Sequence, residues 1–409
     1  MMEKRRRIAL YTIAPAIIFV ISFMMFYKEA LLPKHSDMLT HMKFAMSLSD
    51  VMSLTHNGWH FVCWLFYACL PVSIAVAAGL STAVFNTFTA VLVIWLIEKY
   101  FVNATDHVAV STLTAVMALV VGPLYLRFYN HRYYLGQGSP NVWHSPTTVA
   151  VRPFMILITV LTVEYWACSS DEQIVIGKKS IRKALAYQWI LMILLLISTI
   201  IKPSYLMVYL PVCGIIALMR LWKGRGKNFI SLVAEHLYFI PSLLVFLWQY
   251  IKIYLLGGIN GNVGETGIGI AFFKVARLYA SSVTISLILK MAFPFLIIIL
   301  WRKVLFKDRL FQLVFAQFLA GLAITWTFTE TGKRASHGNF GWGNILAASF
   351  LWIFCLIFYL KELTENREKI VEYTAEKIKY GIPAIALLWH LLAGISYYIS
   401  ILLNMNTQL

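Results

Sequence analysis

Apolar residues run in long stretches along this chain, and charged residues are gathered largely in the breaks between them. Eleven stretches, about 8–27, 72–97, 110–127, 149–167, 184–201, 205–220, 237–256, 276–300, 310–327, 344–360 and 381–404, are of membrane-crossing length. Crossing about 30 Å of hydrocarbon takes roughly 20 helical residues. The pattern therefore predicts an all-α polytopic membrane protein of about 11 transmembrane helices, in which residues 1–409 form a single transmembrane domain. Barrel strands would alternate over short segments, and these runs do not. The segment 59–71 is apolar but shorter and carries Pro71 near its end, which predicts an interfacial or re-entrant piece. Residues 37–52 read as an interfacial helix, with Met38, Met42, Ala45, Met46 and Met52 forming an apolar stripe.

Charge sets the orientation. Lys4-Arg5-Arg6-Arg7 precedes the first apolar run and predicts a cytoplasmic N-terminus and a retained first helix. With that start, loop Lys and Arg divide 22 inside to 11 outside, the excess that governs topology. The expected location is the plasma (inner) membrane, with an extracytoplasmic working face. The net charge of +17 invites a nucleic-acid reading. Its dispersal into short clusters between apolar runs fits loops facing anionic membrane lipids instead, and no zinc-finger or helix-turn-helix spacing is present. The five cysteines lie in or beside apolar runs without a CxxC pair, so they read as core residues. The cytoplasmic loops hold no Walker A motif and no GxGxxG after a strand.

The outer segments carry the candidate chemistry. Only five of 18 acids fall there, Glu29, Asp37, Asp50, Glu265 and Glu330, against seven of ten histidines: His35, His41, His56, His60, His131, His144 and His337. In the first outer loop, 28–71, Asp37 and His41 are four apart and share a helix face. Asp37 is either a base at the membrane surface or the N-cap of the helix it opens. In the second, 127–152, Tyr133, Tyr134 and Trp143 offer flat faces for sugars, while His131, Arg132, His144 and Arg152 offer phosphate donors. The alternative there is an aromatic belt at the interface. In the third, 328–343, Glu330, Lys333, Arg334 and His337 sit among turn-forming glycines, as a site or as a Glu330–Arg334 helix pair.

Several stretches resemble the GT-C membrane glycosyltransferases. These are the acid-bearing first outer loop from Ser36-Asp37-Met38 to Met52, the small-residue second span Ala77-Ala78-Gly79-Leu80-Ser81-Thr82-Ala83, and the segments YLGQGSPNVWHSPT (134–147) and KRASHGNFGWG (333–343). The resemblance implies an inverting transfer of sugar from a polyprenyl-phosphate donor to an envelope glycan or lipid acceptor. Asp37 would be the base, Arg152, Arg334 and Lys202 would neutralise the leaving phosphate, and Tyr134, Trp143, His144 and His337 would line the sugar pocket. Unlike many relatives, the chain has no second acid beside Asp37 and no large soluble C-terminal domain. No cofactor is implied with certainty, and a divalent metal stays open because no HExxH-like spacing is present. Three other functions remain: an outer-face polysaccharide polymerase acting on lipid-linked oligosaccharides through Arg and His, a lipid or solute transporter, and an acyltransferase acting on envelope glycans with a loop histidine such as His144 as base.

Overall fold

Arg6 pairs with Glu98 at 3.0 Å, Lys99 pairs with Glu164, and the Trp301 indole donates to Glu362 at 3.1 Å. These contacts gather the N-terminal cluster and the segments richest in Lys and Arg at one end of the molecule, the basic end. The computed structural model describes residues 2–32, 36–100, 108–129, 139–169, 172–176, 179–257 and 266–403. It is an all-α polytopic membrane protein. The long helices are α1 (Arg5–Leu31), α5 (Ile74–Tyr100), α7 (Pro146–Ala167), α8 (Lys183–Ile201), α9 (Ser204–Lys223), α10 (Phe229–Leu255), α11 (Val283–Leu305), α12 (Arg309–Thr327), α13 (Asn339–Glu365) and α14 (Thr374–Leu402). Between α1 and α5 lie three shorter helices, α2 (Met38–Phe44), α3 (Leu48–Ser53) and α4 (Gly58–Cys69). The expected helix over 37–52 is thus two pieces, because Ala45–Ser47 leave helical geometry and Ser47 caps α3 by accepting from the Asp50 N–H.

The core forms where small residues let helices approach closely. Ala77, Ala78, Ser81 and Thr82 of α5 are buried, and Gly79 packs against the backbone of Tyr27 on α1. Asn86 donates to Ser22 across the same pair at 2.9 Å. Helix α13 is the most enclosed, with Leu346, Phe350, Trp352 and Tyr359 buried. Ile193, Leu244, Ile299 and Ile385 instead point outward from α8, α10, α11 and α14, as lipid-facing positions do.

The eleventh crossing differs from expectation. The apolar run 110–127 is not one helix: α6 (Val108–Val120) stops after 13 residues and the chain continues non-helically to 126. Gly122-Pro123 explains the break, since Pro lacks an N–H and disfavours helical geometry at the residue before it. The segment still crosses. Helix α5 ends at the basic end and α7 starts at the other, and about 20 Å of helix plus up to about 20 Å of extended chain spans the distance. Backbone groups freed by the break are recaptured by protein. Asn141 donates to the Ala118 and Val121 carbonyls at 3.0 and 2.9 Å, the Trp143 indole to the Leu119 carbonyl at 3.2 Å, and the Gly122 N–H to the His390 carbonyl at 3.1 Å.

Two small antiparallel strand pairs complete the fold: β1 (Gln173–Ile176) with β2 (Lys179–Arg182), and β3 (Ile268–Ile270) with β4 (Phe328–Glu330). The second joins the segment before α11 to the turn between α12 and α13, and it carries Glu330.

Candidate functional site

At the end opposite the basic one, the segments 36–60, 144–148, 202–204 and 328–342 converge. Asp37 opens α2, and its N–H donates to the His144 carbonyl at 3.0 Å. Ser36 performs the capping: its hydroxyl accepts from the Met38 N–H at 3.1 Å and donates to the same His144 carbonyl at 3.1 Å. The Asp37 carboxylate makes no cap bond and is exposed. One turn on, His41 Nδ1 lies 2.8 Å from His60 Nε2, and its ring meets Trp59 edge-on. Burial holds His41 well below the usual histidine range and His60 at about 3, with His56 lowered to about 4 by burial and by the Lys202 and Arg334 charges.

Lys202 sits between α8 and α9 and is 8% exposed. Its ammonium points at the first turn of α7, donating to the Thr148, Thr147 and Ser145 hydroxyls at 2.9, 3.3 and 3.4 Å. It also lies 3.9 Å from the centroid of the Trp342 ring, a close cation–π contact. Gly343 makes this possible, because a Cβ there would come within 2.8 Å of the Ser204 carbonyl at the start of α9. Burial pushes the ammonium down to about 7, and the negative charge of Asp37 acts against that shift. His144 is lowered by burial, raised by Asp37 and lowered again by Lys202. Asp37, His144 and Lys202 therefore share one electrostatic neighbourhood.

On its other side Lys202 borders a cavity of ≈ 130 Å³ with His56, Glu330, Arg334 and Gln249 on its walls. Glu330 is 2% exposed and accepts from Arg334 Nε at 2.7 Å, from the Tyr254 hydroxyl at 2.9 Å and from the Asn339 amide. The rest of the lining is largely apolar, with Met207, Phe246, Ile253 and Phe340. Gln249 donates to the Thr199 carbonyl, while its buried amide oxygen has no hydrogen-bond partner among the described residues. Lys202, and Arg334 paired with Glu330, set against an apolar wall suit a ligand with an anionic head and an apolar tail.

Of the residues expected from sequence, Asp37, His41, His144, Lys202, Glu330 and Arg334 belong to this convergence. Trp143 and Arg152 have other occupations. Trp143 is 4% exposed, stacks on Tyr397 with ring centroids 4.8 Å apart, and holds the Leu119 carbonyl. Arg152 is buried and donates to Asn141 at 2.7 Å, bracing the broken crossing. His337 is exposed, with its N–H on the Arg334 carbonyl, and does not line the cavity. Arg132 and Tyr134 lie outside the described residues, as do His35, His131, Tyr133 and Glu265. His56, His60, Gln249 and Trp342 carry parts of the site that the sequence gave no reason to rank. The only signal was the spacing of His56 and His60, four apart in THNGWH.

Among the described residues, no group of three or more His, Cys, Asp and Glu side chains converges to hold a metal ion. By sequence the chain matches neither a protein-family model nor a curated protein. The fold and the site alone therefore define its class, an integral membrane protein with a polar cluster at one end of its helix bundle.

Proposed function

We propose that this protein is an inverting glycosyltransferase that moves a sugar from a polyprenyl-phosphate donor to an envelope glycan or lipid acceptor. The observation that carries the reading is the position of Lys202. One side of it shares a field with the uncapped Asp37 carboxylate, and the other borders an amphipathic cavity containing Arg334. In this reading the donor phosphate lies between Lys202 and Arg334, with the first isoprenoid units along Phe246, Ile253 and Phe340. The acceptor hydroxyl oxygen attacks the anomeric carbon from the Asp37 side, forming the new glycosidic C–O bond. The bond from that carbon to the phosphate oxygen breaks, and its electron pair leaves with polyprenyl phosphate. The hydroxyl proton passes to Asp37. Lys202 and Arg334 stabilise the charge that gathers on the departing phosphate. Glu330 is occupied by three donors and serves to position Arg334.

The test is sugar transfer by purified protein in liposomes, with a panel of polyprenyl-phosphate sugars and an envelope-lipid acceptor. Asp37→Asn is expected to reduce turnover by about 10²- to 10⁴-fold, the usual contribution of a general base. Folding should be intact, because the carboxylate makes no cap bond.

A second reading, the polysaccharide polymerase, is favoured by one observation. Apart from Glu330, the ionisable groups on the cavity wall are His56, Lys202, Tyr250, Tyr254 and Arg334, and Asp37 is not on that wall. Full turnover of lipid-linked oligosaccharides by Asp37→Asn protein would move that reading ahead.

A further inference from the structure

The basic end of the bundle holds a larger hollow, of ≈ 730 Å³, where the end of α7, the start of α8, the end of α9 and the start of α12 diverge. It is remote from the site above, on the opposite ends of α7, α8 and α9. Val163, Ile216 and Leu313 make its walls apolar, and Arg220, Glu235 and Arg309 supply its charge. Arg220 gives both terminal guanidinium nitrogens to Glu235, at 2.6 and 3.0 Å, so that pair is neutral. Arg309, in the first turn of α12, is exposed and makes no ion pair among the described residues. The adjacent Asp308 does not quench it from within the hollow. Its carboxylate is turned to the Phe311 N–H at 2.8 Å, and the residue lines a different cavity. The ring of Trp166 also lines the hollow, with its indole nitrogen enclosed by protein.

The hollow thus carries one net positive charge on an apolar wall. We propose that this hollow binds the headgroup of a monoanionic phospholipid. Arg309 holds its phosphodiester, and Val163, Ile216, Leu313 and the Trp166 ring face receive the glycerol region. A single negative charge matches Arg309, whereas a free phosphate dianion would leave an excess. The volume argues the same way. A water molecule takes about 30 Å³ of liquid, so an inorganic phosphate would leave most of the hollow unfilled. The surrounding segments hold much of the chain's Lys and Arg, which draw anionic lipid to this end.

Trp166 provides the probe. Full-length protein in liposomes is titrated with brominated phosphatidylglycerol or brominated phosphatidylcholine, and the Trp166 signal is taken as wild type minus Trp166→Phe. Brominated phosphatidylglycerol is expected to quench that signal at about fivefold lower mole fraction, the effect of roughly one cation near a lipid phosphate. Arg309→Gln should bring the two lipids together while leaving sugar transfer unchanged. Equal quenching of the wild-type Trp166 signal by both lipids would overturn the proposal. So would relief of quenching by millimolar inorganic phosphate, which would make the hollow a general anion site. Native mass spectrometry of the wild-type protein gives a check free of variants: retention of phosphatidylglycerol no greater than that of phosphatidylcholine would also overturn it.

Discussion

The Lys202 ammonium lies 3.9 Å from the centre of the Trp342 ring while donating to the Thr148 hydroxyl at 2.9 Å. Hydroxyls and a ring face solvate a cation less well than water does, so burial brings the group down to about 7. It is half charged near neutrality, and an arriving phosphate selects the charged form. Donor KM is therefore expected to rise as pH goes above 7, by at most tenfold per pH unit, and to level off below it. His56 at about 4 and His60 at about 3 stay neutral over that range and add no slope. Lys202→Met should raise KM by about 10- to 100-fold and flatten the profile. A steady-state titration from pH 6 to 9 reads both.

Stability moves in the opposite sense. Between about pH 7 and the ordinary lysine value of 10.5, the unfolded chain keeps a proton at Lys202 that the folded protein has released. Its contribution to stability therefore grows with pH across that window and is lost as pH falls back to 7. Thermal melting in detergent should show a slope for the wild type that is smaller for Lys202→Met.

Glu330 holds the third segment in place. Removing its carboxylate frees Arg334, Tyr254 and Asn339 together. Glu330→Ala is expected to cost about 2–4 kcal/mol, since buried donors lose their acceptor. Glu330→Gln should cost less and raise donor KM with kcat nearly unchanged, the mark of a positioning residue. A fall in kcat at constant KM would instead put Glu330 in the chemistry.

The broken crossing depends on Asn141. Asn141→Ala strips one donor from the Ala118 and Val121 carbonyls and the acceptor from Arg152. A loss of about 2–3 kcal/mol is expected, read as a lower melting temperature in detergent.

Gly394 faces the same crossing. A Cβ there would fall 1.8 Å from the Val120 carbonyl oxygen, and backbone cannot rotate out of the way as a side chain would. Gly394→Ala should cost on the order of 3 kcal/mol or more and reduce the folded yield. Gly381→Ala in the same helix meets nothing within 4 Å and serves as the control. Equal yields for the two variants would contradict the packing described.

Most of the fold was legible because hydropathy is a local property: each span announces itself without reference to its neighbours. The run 110–127 misled for the same reason. Averaging over it hid Gly122-Pro123, whose effect is on geometry and not on polarity. The site was legible in part. Glu330 and Arg334 stood out as charges among turn-forming glycines, whereas Lys202 entered only through what the resemblance implied. Trp143 and Arg152 looked like ligand contacts because side-chain chemistry does not reveal its partner, and theirs, Leu119 and Asn141, are set by packing. Ser36 taking the cap from Asp37 depends on the direction of one hydroxyl, which composition cannot encode. Trp342 gained its place above Lys202 through Gly343, a contact between two helices far apart in sequence.

The partners of the broken crossing also bear on how the chain is made. The Gly122 N–H donates to the carbonyl of His390, 268 residues later, and its own carbonyl lies 2.7 Å from His390 Nδ1. At about 5–20 residues per second of synthesis, the unwound stretch exists for tens of seconds before that partner emerges. It cannot rest in lipid alone with bare amides. During biogenesis it must wait in a sheltered, hydrated place, such as the insertion machinery or a chaperone, until α14 arrives. Closure of the early half of the bundle thus waits for α14.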